Sequence, residues 1–199
     1  MSLVPLYLAL GVSVYLLLGI LYFAVRRSDY SHVRHTISEL GETGSPVGRR
    51  VSLGVFLPTG AVLFGVAYLL STWPAPEELR LGSSSLALCI GVGYAGAALF
   101  PCDPGSPLEG SWRQQVHNLA GAVEYVGGAA SLAVAGRFLQ EHAGSFGLSA
   151  IIIFLAGVVL VGGIALSIRM LFPWRGMIQR IAELVLFASL LLLTGEILL

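Results

Sequence analysis

The sequence contains few charged residues and no lysine at all. Charged residues make up 11% of the 199 residues, against about 25% in an ordinary soluble domain, and all eleven basic residues are arginine. The missing lysine excludes mechanisms that need a Schiff-base lysine on this chain. Since the formal net charge is +0, no overall field attracts nucleic acid, and we expect no nucleic-acid partner.

Cysteine is also scarce, and the two cysteines lie far apart along the chain. Cys89 is inside an apolar run, and Cys102 is in the loop that follows it. The chain between the two cysteines is mostly helical, so they are separated by roughly 20 Å at 1.5 Å per residue. That distance is too long for a disulfide, so we predict two free thiols.

Hydrophobic residues dominate what remains, at 56% of the chain with a mean hydropathy of +0.84. This composition excludes a soluble globular domain, because polar residues must cover the outside of a soluble fold. Six apolar runs are long enough to span a bilayer. They are approximately Leu3–Val25, Val51–Thr72, Ser84–Phe100, Val116–Phe138, Gly147–Leu171 and Ile178–Leu198. We predict an all-α membrane protein, a single domain over residues 1–199, with six transmembrane helices in three hairpins.

Loop arginines predict the orientation of these helices. Nine of the eleven arginines lie in the first, third and fifth loops, and two lie in the even loops. The positive-inside rule therefore places the odd loops in the cytoplasm and both termini outside the inner membrane of the cell. The first run has no basic segment before it, so we expect a retained helix instead of a signal peptide. Membrane lipids are the expected partners, and a homo-oligomer or a larger membrane complex stays open.

Small residues at four-residue spacing occur on the third and fourth runs. They are Ala87, Gly91 and Ala95 on the third, and Gly127, Ser131 and Ala135 on the fourth. Such rows let two helix backbones approach closely in lipid. The pattern predicts that the third and fourth helices form a tight hairpin.

The first loop carries a short polar stretch with helical periodicity. Apolar residues at i, i+4 and i+7 predict a short amphipathic helix at the membrane interface. These residues are Val33, Ile37 and Leu40. Thr36 and Glu39 have the spacing of a capping box, which is the favoured interpretation. In the alternative, His35, Ser38 and Glu39 face a polar pocket.

The third loop, Phe100–Pro107, contains three prolines and a glycine, which predicts a tight and rigid turn. Asp103 lies in the middle of it. Its carboxylate either closes an Asx-turn or is presented at the membrane surface in a fixed direction, because rigid loops often carry functional sites. Both interpretations stay open.

The fourth run places its polar residues and two glycines on one helical face. They are His117, Gly121, Glu124, Gly128 and Ser131. Glu124 lies about 18 Å along the axis from Trp112, near the bilayer midplane. A charged group costs about 2.5–3.5 kcal/mol there even on a lenient insertion scale, so such groups are usually functional. The alternative is a neutral Glu124 hydrogen-bonded between helices. In the sixth run, Arg180 and Glu183 have the i, i+3 spacing of an ion pair.

Several odd-loop motifs resemble a known family. They are Arg34-His35-Thr36-Ile37-Ser38-Glu39-Leu40-Gly41, Phe100-Pro101-Cys102-Asp103-Pro104, His117, Arg175-Gly176 and Gln179-Arg180. Over nearly its whole length the chain resembles the small membrane proteins catalogued as domain of unknown function 998. The resemblance implies a six-helix bundle and brings no assigned activity.

A more distant likeness is to membrane hydrolases of the alkaline ceramidase and progestin/adiponectin receptor kind. Those proteins combine a serine, an aspartate and three histidines around zinc, and Ser38, Asp103 and His117 are similar to that set. They have seven helices and a histidine pair in the last, whereas this chain has no histidine after His142. A zinc site needs about three protein ligands, which Asp103, His117 and His35 or Glu124 could supply. If a metal binds, the likeness implies that these candidate residues hold it. The identity of any cofactor stays unknown.

These observations predict a polar pocket at the cytoplasmic end of the bundle. As an enzyme, the protein would use His117 as a general base or metal ligand, Asp103 as its orienter or as a ligand, and Ser38 as nucleophile or binding residue. Arg34 and Arg175 would bind a phosphate or lipid headgroup. The other candidate ligand-binding residues are His35, Glu39, Glu124, Gln179 and Arg180. The alternatives are a proton-linked transporter that uses the intramembrane carboxyl, and a non-catalytic accessory subunit.

Overall fold

A computed structural model describes residues 3–142 and 146–198, which form helices and loops without a strand among them. Six of the helices are long and apolar enough to span a membrane. They are α1 (Val4–Ala24), α2 (Gly48–Ser71), α3 (Glu77–Leu99), α4 (Trp112–His142), α5 (Phe146–Ala165) and α6 (Arg175–Leu198). The predicted all-α membrane fold with six spanning helices is confirmed.

The ends of the helices differ from the predicted runs where polar residues begin or end them. Helix α3 begins at Glu77, seven residues before the predicted run, because Glu77 and Glu78 favour the positive end of the helix dipole. Helix α5 ends at Ala165, and a separate 3-10 helix, Arg169–Trp174, precedes α6. The apolar run predicted through Leu171 therefore contains a helix end that hydropathy alone does not reveal.

Helix α3 lies at the centre and packs on α2, α4 and α6. A Cβ atom on Gly82 would lie 2.8 Å from the Cβ of Ala135, so α3 and α4 do form a tight hairpin. The predicted row on α3 has another neighbour, however. A Cβ on Gly60 of α2 would lie 2.8 Å from the nitrogen of Ala95 and 2.9 Å from the carbonyl oxygen of Gly91. Small residues allow a close approach without specifying which helix makes it.

The predicted short helix in the first loop is a single 3-10 turn, Ser38–Gly41. Ile37 and Leu40 are buried in the hydrophobic core, so this segment packs into the protein instead of lying along its surface. The predicted capping box is confirmed at its start. Glu39 Oε1 accepts bonds of 3.0 Å from the Thr36 amide and hydroxyl, and the Glu39 amide donates to Thr36 Oγ1 at 3.3 Å.

Candidate functional site

The three odd loops meet at one end of the bundle, which we call the odd-loop end. The Thr43 amide donates to the Cys102 carbonyl at 2.9 Å, and the Gly105 amide donates to Glu42 Oε2 at 2.8 Å. Arg175, at the start of α6, donates to the Gly105 carbonyl at 3.4 Å. These bonds tie the first loop to the third and the third to α6, as the predicted pocket requires.

The start of α6 holds the first loop in place. Arg180 Nη1 donates to the carbonyls of His32 at 2.8 Å and His35 at 3.0 Å, and Nη2 donates to the Tyr30 hydroxyl at 2.6 Å. Burial raises the pKa of Tyr30 to about 12, so this hydroxyl stays neutral. The predicted ion pair between Arg180 and Glu183 is therefore wrong, because loop carbonyls occupy the guanidinium.

Gln179 is also used to hold the first loop. Its Oε1 accepts a 2.6 Å bond from the Ile37 amide. Gln179 was predicted as a ligand-binding residue, and it does line the cavity described next. Its carbonyl oxygen, however, is already engaged by the loop.

A cavity of about 480 Å³ extends from the odd-loop end into the bundle. Its polar lining residues include Ser38, His117, Asn118, Glu124, Arg175, Gln179 and Glu183. Five of the predicted site residues are in this set. A protein with a cavity of this size can enclose a small organic group.

Arg175 is the cationic residue of this cavity wall. The side chain is only 7% exposed, and its Nε atom has no hydrogen-bond partner among the described residues. Its guanidinium carbon lies 4.4 Å from the centre of the Phe172 ring. Arg175 also lines a second cavity, together with Arg34, His35 and Glu39. A buried guanidinium donor without an acceptor is costly, which makes this atom the natural contact for an anion.

His117 presents one ring nitrogen to the protein. Its Nδ1 lies 3.1 Å from the Phe100 carbonyl oxygen. Because a carbonyl can only accept, Nδ1 carries the hydrogen and Nε2 is the acceptor of the neutral ring. The side chain is 9% exposed and lines the cavity, where Nε2 can accept a proton from a bound hydroxyl.

Asp103 lies outside the set of residues that line this cavity. Its carboxylate accepts bonds from the Ser111 amide at 2.7 Å and the Ser111 hydroxyl at 2.8 Å. These bonds lower the pKa of Asp103. Ser111 in turn caps the first turn of α4 by accepting from the Gln114 amide. Asp103 therefore supports the start of α4 and is not among the residues that line the cavity.

The three candidate metal ligands are also held separately. His35 Nδ1 accepts a 2.9 Å bond from the Ser31 amide, while His117 and Asp103 have the partners given above. Among residues 3–142 and 146–198, no three histidine, cysteine or acidic side chains are grouped closely enough to hold a metal ion.

The inner end of the cavity contains an arrangement that the sequence did not predict. Glu183 Oε2 accepts from the Tyr94 hydroxyl at 2.9 Å, and Oε1 accepts from the Tyr125 hydroxyl at 2.7 Å. Glu124 is 6% exposed, and its Oε1 has no partner among the described residues. A signal for Glu183 was present, because it follows Arg175 and Gln179 at four-residue spacing on one helical face.

A π-turn in α4, Val123–Gly127, carries Glu124 and Tyr125. Both of these neighbouring residues are buried, and Tyr125 reaches Glu183 while Glu124 lines the cavity. Single π-turns inside α-helices frequently mark functional sites. The π-turn therefore helps to place two adjacent polar residues, Glu124 and Tyr125, at the cavity.

A comparison with protein families now identifies the chain's relatives. The family model described as "Protein of unknown function (DUF998)" matches residues 9–196. The chain belongs to the DUF998 family. No curated protein and no solved structure matches it. The predicted membership of this family is thereby confirmed.

The cavity of the DUF998 protein changes from polar to apolar along its wall. Beyond the polar residues, its lining includes Val126 on α4 and Ile164 on α5. Each of these two side chains is 56% exposed. The cavity therefore suits a molecule with one polar and one apolar end.

Proposed function

We propose that this protein binds an amphiphilic molecule with an anionic headgroup, such as a phosphate, in the cavity beside Arg175. The observation that carries the proposal is the unpartnered Nε of Arg175, which is buried in the cavity wall. Guanidinium donors form strong, charge-assisted bonds with phosphate and carboxylate oxygens. An anion here would satisfy a donor that the described protein atoms leave free.

The route for the apolar tail supports the same proposal. Val126 and Ile164 line the cavity and are partly exposed, so they would connect the cavity to the lipid chains of a membrane. A membrane amphiphile would then leave its tail among the bilayer chains while its headgroup enters the bundle. The arginine bias of the odd loops favours a cytoplasmic location for this end, so the ligand would come from the inner leaflet.

Ser38 and His117 would lie beside the bound headgroup, since both line the cavity. His117 Nε2 is available as a base, and a serine hydroxyl is a weak nucleophile that needs one. Hydrolysis of the headgroup is the reaction this pair would support. Loss of turnover in a His117→Ala variant that still binds ligand would establish it.

Binding of dodecyl phosphate to the purified protein in maltoside micelles, measured by calorimetry, tests the proposal. A hydrogen bond to a charged group contributes about 1.5–3 kcal/mol, so Arg175→Gln should weaken binding about tenfold or more. Arg175→Lys should retain part of the affinity. Arg169→Gln is the matched control, because that nearby side chain is 76% exposed and, within the described part of the chain, pairs only with Glu109.

The proposal fails if the wild-type protein binds dodecyl phosphate and dodecanol equally well. It also fails if Arg175→Gln folds, as judged by circular dichroism, and binds dodecyl phosphate as tightly as the wild type.

A proton-linked carrier is the second candidate function. It is favoured by the buried, unpartnered carboxyl oxygen of Glu124 inside the cavity, because ionisable groups within transmembrane helices often form proton pathways. In proteoliposomes, a carrier would give a pH-driven flux of an amphiphile that Glu124→Gln abolishes. Flux that persists in this variant would exclude the Glu124 pathway.

A further inference from the structure

Two carboxyl groups, those of Glu124 and Glu183, line the inner end of the cavity. A Cβ atom on Gly93 would lie 2.9 Å from the Cβ of Glu124 and would overlap its carboxyl group. The next residue, Tyr94, donates to Glu183. Neighbouring residues of α3 thus contact both acidic side chains, and both side chains line the same cavity.

These two carboxyl groups have no cationic partner in the described part of the chain. The protein donors to Glu183 are the neutral hydroxyls of Tyr94 and Tyr125, and Glu124 Oε1 has no hydrogen-bond partner among residues 3–142 and 146–198. Arg175 lies two helical turns away on α6, about 12 Å along the axis at 1.5 Å per residue. The inner end of the cavity is therefore acidic, buried and uncompensated.

Aromatic residues line the cavity beside these two acidic residues. The Tyr94 ring lies 5.8 Å from the Phe56 ring and 6.0 Å from the Phe187 ring, measured between ring centres. Phe56, Tyr94 and Tyr125 all line the cavity. Acidic groups beside aromatic rings are typical of sites for organic ammonium groups, which gain both charge pairing and cation–π attraction. A metal ion would need a closer set of oxygen ligands than the single free carboxyl provides.

We propose that the inner end of the cavity, between Glu124 and Glu183, binds the ammonium group of an organic amine. This inference uses the cavity of the proposed function but not the anion at Arg175. A ligand that carries both groups would separate them by about 12 Å, the axial distance between the two ends.

The test compares two probes of equal chain length, n-octylamine and n-octanol, on the purified full-length protein at pH 7. The amine is charged at this pH and the alcohol is neutral, so the difference between their affinities measures what the positive charge contributes to binding. We expect octylamine to bind at least tenfold more tightly than octanol in the wild type. In Glu124→Gln and Glu183→Gln, this preference should disappear.

Glu196→Gln is the matched control, because Glu196 is an exposed acidic residue on the same helix as Glu183. It should leave the preference for octylamine unchanged. Dodecyl phosphate binding in Glu124→Gln separates the two proposals, since it should be retained even where octylamine binding is lost.

If the wild-type protein bound octylamine and octanol equally well, that result alone would overturn the proposal. The same holds if sodium chloride stabilises the protein against heat as strongly as octylamine does. An octylamine preference that survives in a folded Glu124→Gln variant would also overturn it.

Discussion

Replacing Gly176 by alanine should detach the first loop from α6. A Cβ atom at this position would lie 2.7 Å from the His32 carbonyl oxygen and would overlap that of His35. Both are backbone atoms, so the clash cannot be relieved by turning a side chain. The loop must move away from the helix, and it carries one wall of the cavity with it, because Ser38 lies in the same loop.

The size of the effect follows from the contacts that this movement breaks. The Met177 amide donates to the Val33 carbonyl at 3.0 Å, and Arg180 donates to the carbonyls of His32 and His35. The Met177 bond at about 1 kcal/mol and the two guanidinium bonds at about 1.5 kcal/mol each, offset by the roughly 1 kcal/mol by which alanine favours a helix over glycine, predict a net loss of about 3 kcal/mol. This value lies within the roughly 1–3 kcal/mol typical of overpacked positions.

The free energy of unfolding can be measured by titrating maltoside micelles with sodium dodecyl sulfate and following circular dichroism. Gly195→Ala is the matched control on the same helix, because nothing lies within 4 Å of its added Cβ. It should be neutral or slightly stabilising. If Gly176→Ala were as stable as Gly195→Ala, the close packing of the first loop on α6 would be refuted.

Two further predictions concern the third loop. Bonds from Ser111 lower the pKa of Asp103 in the folded protein. The ionised carboxylate therefore stabilises the fold at pH values above the pKa of the unfolded chain. This stabilisation is lost as the pH falls through the lower pKa of the folded protein. Asp103→Asn should therefore be less stable than the wild type near neutral pH, with a melting-temperature difference that shrinks in acid; a constant difference would contradict this. Burial, and after it the nearby charges of Glu42 and Glu39, raise the pKa of Cys102 to about 12. Peptide mapping after maleimide treatment at pH 8 should therefore find this thiol unlabelled until the protein is unfolded. Rapid labelling of the folded protein would contradict this prediction.

The number and type of the spanning helices could be predicted from the sequence because these are properties of local segments. The length of each apolar run is set by the thickness of the bilayer, and the capping box of Thr36 and Glu39 lies within four residues. The free thiols of Cys89 and Cys102 followed from distance along a helix. The membrane orientation that the arginines favour remains a prediction.

The membership of the cavity could not be predicted in the same way. Arg175, Gln179 and Glu183 share one helical face, which a periodic pattern reveals. Which partner each of them meets depends on other helices. Gln179 binds the first loop, 142 residues away in sequence, and Glu183 binds Tyr94, 89 residues away. No local periodicity encodes contacts at that separation.

The sequence by itself thus determined a six-helix membrane protein with its polar residues concentrated at one end, because hydropathy and helical period act segment by segment. Only the tertiary structure decided that Asp103 supports the start of α4, that Arg180 holds loop carbonyls, and that Glu124 and Glu183 line one cavity. In lipid, apolar side chains gain little by contacting each other instead of the bilayer, so close backbone packing and interhelical polar bonds select the neighbours. Those interactions exist only once the helices are assembled.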